Sequence, residues 1–265
     1  MNEERIRLIA LDLDGTLLDS NKNIPPEFMP WVLAHPEIKV VIASGRQYYT
    51  LREQFAEISD RLVYIAENGA VVFDGDKRLS VSPMAKDDAK SVLDICLGLD
   101  DTDPMLCGLK SAYMLKGSGE VIEEANKYYA RRMTVDSLYP YISEDDILKI
   151  AVFIPGFRAQ EAYDAFPELP DGLAKALSGD SWIDIAPAGV DKGSALQAVQ
   201  KLLGIRASES MAFGDFLNDV TMLRACDHSW AMANAHPELK AIAANITPYS
   251  NDENGVMRVI EGLVL

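Results

Sequence analysis

The sequence predicts an α/β fold in which a Rossmann-like parallel sheet is interrupted by an inserted α+β domain. Three observations predict it: apolar runs of strand length alternate with helical patterns early in the chain, paired strands dominate the middle, and the βα alternation resumes near the end. The 265 residues suffice for two domains with separate cores. We therefore expect a core domain formed by residues 1–83 and 187–265, with residues 84–186 inserted as a second domain.

The first part of the core reads as three buried strands and a hairpin. Continuous apolar runs, typical of strands buried on both faces, predict the strands Leu8–Leu11, Ile38–Ala43 and Leu62–Ala66. Helical patterns lie between them, at Glu27–His35 with a proline in the first turn and at Tyr48–Ile58. A hairpin is expected over 71–81, where Asp-Gly-Asp joins two alternating segments.

The insertion reads as strand pairs alternating with helices, which favours a sheet with helices on one face. The expected helices are Lys86–Leu99, Gly119–Arg131 and Arg158–Phe166, and the expected strands are Met105–Leu109, Ala112–Lys116, Ile147–Ile154, Leu173–Leu177 and Trp182–Ala186.

The last part returns to βα units. A strong helix is expected at Ser194–Leu203, with Asp191 as its N-cap and Gly204 as its C-terminal stop. The remaining expected elements are the strands Ser210–Phe213 and His228–Met232 and the helices Asp219–Ala225, Pro237–Ala244 and Gly255–Gly262. The middle segment is thus an insertion between two halves of one parallel sheet.

Composition excludes several classes of partner. Forty-one acidic against twenty-five basic residues give a formal charge of −16, which repels nucleic acid and anionic membranes. Cys96, Cys107 and Cys226 lack CxxC spacing and read as buried thiols of a reducing compartment. Because the sequence shows no signal-peptide pattern and no apolar run near about 18 residues, we expect a cytoplasmic protein. We further expect a monomer or a weak homodimer.

Two carboxylates stand where the first strand ends. In the segment DLDGT, Asp12 and Asp14 are two residues apart, so their side chains leave the backbone on the same side, and Gly15 permits a sharp turn. Like charges this close call for a cation. For Asp-x-Asp-Gly taken alone, the alternative is a polar turn with no catalytic or metal-binding role.

Three further turns carry matching chemistry. Ser44 and Gly45 follow the second strand and precede a helix, which offers a hydroxyl and free amides to a phosphate. Lys192 opens a helix, and Asp215, Asn218 and Asp219 follow a later strand. Each also has an alternative without a functional role. Ser44 and Gly45 could form an ordinary turn, Lys192 could be a solvated lysine at a helix start, and Asp215 and Asp219 could cap a helix. All four turns nevertheless fall at the carboxyl edge of one sheet, where such folds bind ligands.

The four turns together resemble the motifs of the haloacid dehalogenase-like superfamily of phosphohydrolases. That family has DxDGT at the first strand, Ser or Thr at the second, Lys before a helix and GDxxND at the fourth strand, and all four occur here in order. The large insertion is similar to the α/β cap of the Cof-like sugar-phosphatase branch. That branch is supported by three segments: ENGA at 67–70, GVDKG at 189–193 and NDENGV at 251–256. Phe216 departs from the pattern, because members of that branch commonly have a polar residue at this position.

Chemistry and the resemblance suggest the same roles. Hydrolysis of a phosphate monoester needs a nucleophile, a proton donor and neutralisation of charge. Asp12 is the expected nucleophile and Asp14 the acid–base. The resemblance implies that Mg²⁺ is held by Asp12, the Asp14 carbonyl and Asp215, with Asp219 close by. The expected phosphate-binding groups are Ser44, the Gly45 amide, Lys192 and Asn218.

Three functions fit this pattern. The leading hypothesis is a Mg²⁺-dependent phosphatase for small phosphorylated metabolites, with sugar phosphates as the substrates that the resemblance implies. A phosphomutase or phosphotransferase would use the same nucleophile with a different acceptor. A non-enzymatic phospho-acceptor domain would share the aspartate and lysine, but such domains have neither a cap nor an acid at the position of Asp14. The cap sequence carries no readable code for the substrate.

Overall fold

The computed structural model describes residues 5–116 and 119–262. These residues form two compact units. The core unit comprises the chain up to Ser44, Leu51–Ser80 and the chain from Asp191 onward. The inserted unit comprises Val81–Val190 and the hexapeptide Gly45–Thr50. The predicted parallel-sheet fold with an inserted domain is confirmed.

The core unit is built on an eight-stranded sheet in the order β14-β13-β12-β1-β2-β3-β4-β5. Its strands are β1 (Leu8–Leu11), β2 (Lys39–Ala43), β3 (Leu62–Ala66), β4 (Val71–Asp74), β5 (Lys77–Val81), β12 (Ser210–Gly214), β13 (His228–Ala231) and β14 (Asn245–Ile246). Neighbours from β14 to β3 pair in parallel, whereas β4 turns back antiparallel to β3. The carboxyl ends of β1, β2 and β12 therefore meet at one edge.

Strand β1 lies at the centre of this sheet, between β12 and β2. All four of its residues are buried, as the continuous apolar run predicted. Burial of each of its leucine and isoleucine side chains contributes about 1.5–3 kcal/mol, so the strand is firmly held. Asp12 is the residue that directly follows this strand.

The α-helices among the described residues of the core unit are α1 (Phe28–Ala34), α2 (Tyr48–Gln54), α7 (Lys192–Leu203), α8 (Val220–Arg224), α9 (Pro237–Ile242) and α10 (Gly255–Gly262). The first turn of α2 belongs to the inserted unit. The predicted N-cap and stop of α7 are confirmed, since the Asp191 carboxylate accepts the Ser194 N–H at 2.7 Å and Gly204 is left-handed with φ of 62°.

The inserted unit has a six-stranded sheet in the order β10-β11-β9-β6-β7-β8. Its strands are β6 (Asp103–Gly108), β7 (Ala112–Leu115), β8 (Arg132–Val135), β9 (Ile147–Phe153), β10 (Leu173–Leu177) and β11 (Trp182–Pro187). Its helices are α3 (Lys86–Leu97), α4 (Gly119–Tyr128), α5 (Tyr139–Glu144) and α6 (Ala159–Ala165).

The prediction that all helices cover one face of the inserted sheet was wrong. Alternate residues of β9 enter two separate clusters: Ile150 packs with residues of α3, α5 and α6, whereas Ala151 packs with residues of α4 such as Ala125. Because successive side chains of a strand point to opposite faces, α4 covers the face opposite to the other three helices.

Several predicted boundaries also needed correction. The helix expected over Gly119–Arg131 ends at Tyr128, and Arg132–Val135 form the missed strand β8, which pairs in parallel with β7. The helix expected over Tyr48–Ile58 ends at Gln54, because Phe55 leaves the helical region with φ of −109°. No helix within residues 5–116 and 119–262 combines the length and the apolar character needed to span a bilayer.

Candidate active site

The nucleophile candidate continues the central strand. The N–H of Asp12 donates to the Phe213 carbonyl at 3.1 Å, so the β1–β12 pairing extends to this residue. The residue is only 6% exposed. The chain then coils, since Leu17 and Leu18 donate to the carbonyls of Asp12 and Leu13. The Asp12 carboxylate is therefore fixed at the carboxyl edge of the sheet.

The lysine that the sequence placed at a helix start is completely buried. Lys192 opens α7 with an exposure of 0%. Its Nζ lies 2.6 Å from Asp12 Oδ1 and 2.7 Å from Asp219 Oδ1. A lysine at a helix N-terminus is unfavourable for the helix dipole, so these two carboxylates account for its position.

The two acids after β12 have different environments. Asp219 is fully buried, and its Oδ2 accepts the N–H groups of Asp215 and Phe216 at 3.0 and 3.3 Å. Asp215 is half-buried, and its Oδ1 lies 3.5 Å from the Thr16 hydroxyl. Carboxylate oxygens of Asp12, Asp215 and Asp219 all lie within 4.8 Å of one another.

Burial and mutual repulsion shift the titration of this trio. Burial, followed by the Asp219 charge, raises the pKa of Asp12 to about 7 although Lys192 opposes the shift. Burial, with the charges of Asp12 and Asp219, raises the pKa of Asp215 to about 8. For Lys192, burial alone would lower the pKa, but the two carboxylates outweigh it and raise the value. One ammonium does not balance three carboxylates.

The trio fits a hard divalent cation. Asp12 Oδ2 is buried and has no hydrogen-bond partner among residues 5–116 and 119–262, a costly arrangement unless another group satisfies it. The donors are all carboxylate oxygens, which Mg²⁺ prefers. A divalent ion would supply both the missing partner and the missing positive charge.

The side chain of Asp14 does not join the trio. Its Oδ1 accepts from Lys22 Nζ at 2.7 Å, and the carboxylate is about one-third exposed, at 34%. The turn that follows brings Gly15 against the trio instead: with φ of +84°, a Cβ on this glycine would stand 2.2 Å from Asp215 Oδ2. Any role of Asp14 in metal binding rests on its backbone carbonyl.

Ser44 and Asn218 are both hydrogen-bonded to Asn68. Ser44 is 2% exposed and its carbonyl accepts the Asn68 N–H at 3.0 Å. The Asn218 amide is exposed and donates to Asn68 Oδ1 at 3.3 Å. Gly45, the next residue after Ser44, belongs to the inserted unit, where its carbonyl accepts from Lys149 Nζ at 3.3 Å.

Sequence reasoning missed the part played by the turn after β3. Glu67, Asn68 and Gly69 all have positive φ, of 50°, 54° and 107°. This turn fits closely under α7, because a Cβ on Gly69 would stand 2.3 Å from the Asp191 carbonyl oxygen. The Asn68-Gly69 pair was the sequence signal that could have indicated this turn, since both residue types adopt left-handed backbone more readily than others.

Comparisons with known proteins place the chain in a family. Residues 9–260 match the model of the haloacid dehalogenase-like hydrolases. Over 97% of its length the chain is 33% identical to 95% of the 5-amino-6-(5-phospho-D-ribitylamino)uracil phosphatase YbjI of Escherichia coli K12. It is also 28% identical to YwtE of Bacillus subtilis 168, with 98% of each chain covered, and YwtE is likewise named a 5-amino-6-(5-phospho-D-ribitylamino)uracil phosphatase.

The fold agrees with solved structures. SMU.1108c from Streptococcus mutans UA159 superposes with a TM-score of 0.87 at 30% identity, covering 97% of this chain and 98% of that one. The resemblance found in the motifs is thereby confirmed over nearly the whole length. The chain belongs to the haloacid dehalogenase-like hydrolases and is an enzyme of the phosphatase group within that family.

Proposed function

We propose that this enzyme hydrolyses small phosphate monoesters with Mg²⁺, through a phosphoryl group carried on Asp12. The observation that carries the proposal is the state of the Asp12 carboxylate. One oxygen is held by the buried Lys192, and the other is buried without a hydrogen-bond partner among the described residues. A carboxylate so fixed, beside a site for a cation, suits nucleophilic attack on phosphorus.

The carboxylates of Asp12 and Asp215 would hold Mg²⁺, together with the Asp14 backbone carbonyl. When bound, the ion neutralises charge on the transferring phosphoryl oxygens. Asp219 would lie close by and act chiefly through its neighbours, because its oxygens already accept from Lys192 and from two backbone amides.

The reaction then has two steps. An Asp12 oxygen attacks phosphorus, the bond from phosphorus to the substrate oxygen breaks, and Asp14 gives that oxygen its proton. A water molecule next attacks the phosphoryl group, Asp14 takes a proton from the water, and the bond to Asp12 breaks to release inorganic phosphate. General acid–base help of this kind contributes about 10²–10⁴-fold.

Four groups would bind the phosphoryl oxygens: the Ser44 hydroxyl, the Gly45 amide, the Lys192 ammonium and the Asn218 amide. The chain carries a formal charge of −16, which repels an anionic substrate. Lys192 is therefore important, because the phosphate-binding site needs local positive charge. Asn68 supports this set, since it contacts both Ser44 and Asn218.

The substrate class that we propose is phosphorylated sugars and sugar alcohols. Two relatives, YbjI and YwtE, are named for a phosphate ester on a ribityl chain. That ester is a primary alkyl phosphate, whose leaving alkoxide needs the proton that Asp14 would supply. 5-Amino-6-(5-phospho-D-ribitylamino)uracil is therefore the first compound to test. We further propose a cytoplasmic location, consistent with the three buried cysteines, which form no disulfide.

A phosphate-release assay tests the proposal. The purified protein is supplied with Mg²⁺ and a panel of hexose phosphates, pentose phosphates, the ribityl phosphate and pyridoxal phosphate. We expect inorganic phosphate with Mg²⁺ and none with EDTA, and a loss of at least about 10³-fold for Asp12→Asn. Isomerised phosphosugar without free phosphate would instead indicate a mutase. Release that persists in Asp12→Asn would contradict the assigned nucleophile.

A further inference from the structure

A loop near the end of the chain holds the turn that carries Asp14. Asn234 Nδ2 donates to the Gly15 carbonyl at 2.8 Å, across 219 positions of sequence. The same side chain accepts the Asn251 N–H on its Oδ1 at 3.1 Å. The two asparagines therefore form a relay from the C-terminal NDENGV segment to the turn after β1.

The relay has a second anchor in the NDENGV segment, which follows α9 and β14 in the chain. Asn251 is 8% exposed, and its Nδ2 donates to the Leu18 carbonyl at 2.9 Å. Asp252 accepts both the N–H and the hydroxyl of Ser20, at 2.7 and 2.8 Å. Since Leu17 and Leu18 are themselves hydrogen-bonded to the carbonyls of Asp12 and Leu13, the segment from Asp12 to Ser20 is held at several points along its length.

The same turn also borders the proposed metal site. Gly15 stands so close to Asp215 that no Cβ would fit, and Thr16 donates to Asp215 Oδ1 at 3.5 Å. The loop that bears Asn234 also fixes Asp215 directly, because the His236 N–H donates to the Asp215 carbonyl at 2.8 Å. One short loop thus sets the spacing between the turn of Asp14 and the end of β12.

We propose that Asn234 and Asn251 are positioning residues for the reaction: Asn234 holds the Gly15 peptide beside Asp215, Asn251 holds the Leu18 peptide, and together they orient both the Asp14 carbonyl and the Asp14 carboxyl. The inference rests on the proposed function. In a tight turn, fixing the Gly15 carbonyl fixes the preceding peptide as well. Groups that orient metal ligands from outside typically change metal affinity or activity about 10–100-fold when removed, and small misplacements of catalytic groups have similar effects.

The test compares Asn234→Ala and Asn251→Ala with the control Asn254→Gly. Asn254 lies in the same segment, but its side chain contacts Glu27, and its left-handed backbone with φ of 57° accepts glycine without strain. We expect kcat to fall about tenfold in the two alanine variants with KM changed less than about twofold, and calorimetric Mg²⁺ binding to weaken at least about threefold. The control should leave both quantities within about twofold of the wild type.

Thermal unfolding separates positioning from stability. Asn234 is exposed, so Asn234→Ala should fold with nearly wild-type Tm even if Asn251→Ala lowers it. A folded Asn234→Ala enzyme with wild-type kcat and Mg²⁺ affinity would overturn the inference, while the proposed function would stand on the activity of the wild type. If the wild-type protein neither binds Mg²⁺ nor releases phosphate, both ideas are wrong.

Discussion

Lys192 Nζ bridges Asp12 Oδ1 and Asp219 Oδ1 at 2.6 and 2.7 Å with no exposed surface of its own. The three residues come from three separate elements, namely the end of β1, the first residue of α7 and the turn before α8. A buried ammonium between two carboxylates satisfies only part of their charge, and the remainder makes the site receptive to a divalent cation.

Replacing this ammonium should damage stability and activity together. Lys192→Met keeps most of the volume but leaves buried carboxylates without their partner, a change that costs about 3–5 kcal/mol in comparable pairs. Urea unfolding without metal should show the loss, and added Mg²⁺ should restore part of it. We also expect kcat to fall at least about 100-fold. Lys201→Met, at an exposed position of the same helix, is the control and should change neither quantity appreciably.

Asp215 and Asp219 should differ as metal-binding residues. Asp215→Asn should weaken Mg²⁺ binding by at least about 100-fold, because it removes a proposed ligand. Asp219→Asn should weaken it only about tenfold, as expected for a group acting from behind the ligands, since the Asp219 oxygens already bind Lys192 and two amides. Calorimetry on both variants gives the comparison. An equal or larger loss in Asp219→Asn would identify Asp219 as a direct ligand.

How far the sequence predicted this site depends on the kind of signal. Asp12 and Lys192 were identifiable because each follows a strong local pattern, a buried strand or a capped helix start. Their meeting followed from the topology, since parallel strands end at one edge. The relay from Asn251 through Asn234 to Gly15 joins three separate loops, and neither NDENGV nor DLDGT indicates locally that these residues meet. Such contacts depend on the packed structure and were not predictable.

The missed elements have a similar explanation. Strand β8 is short and at the edge of its sheet, and three of its four residues are exposed, so it lacks the apolar run by which buried strands are recognised. The hexapeptide Gly45–Thr50 was assigned by sequence to the core, yet its side chains satisfy backbone groups of the inserted unit: Gln47 binds the N–H and carbonyl of Arg131 at 2.8 and 2.9 Å.

Asp14→Asn should separate catalysis from metal binding. Its carboxylate contacts Lys22 and lies outside the acidic trio, so we expect Mg²⁺ affinity to change less than about threefold while kcat falls about 10²–10⁴-fold. Lys22→Met removes the same ion pair but keeps the carboxyl group, and exposed pairs contribute only about 0–1 kcal/mol. It therefore shows how much of any stability change comes from the ion pair alone. Unchanged phosphate release by Asp14→Asn would exclude the acid–base role.

Mg²⁺ binding should tighten as pH rises. Without metal, the pKa of Asp12 is raised to about 7 and that of Asp215 to about 8. Below these values protons occupy the carboxylates and compete with the ion, so we expect the Kd for Mg²⁺ to fall at least about tenfold between pH 6 and 8.5 and then to level off. Calorimetry in buffers of different ionisation enthalpy counts the protons released, and Asp215→Asn should release fewer.

The same shifts fix the sign of the pH dependence of stability. Because the folded protein holds these protons above the ordinary carboxyl pKa of 3.8, it binds more protons than the unfolded chain between about pH 4 and 8. The contribution of Asp12 and Asp215 to the free energy of unfolding therefore declines as pH rises through this window in the absence of metal. Saturating Mg²⁺ should abolish the decline, since the ion replaces the protons. A metal-free protein whose stability rises steadily from pH 5 to 8, with no difference in Asp215→Asn, would show that the trio does not carry these raised pKa values.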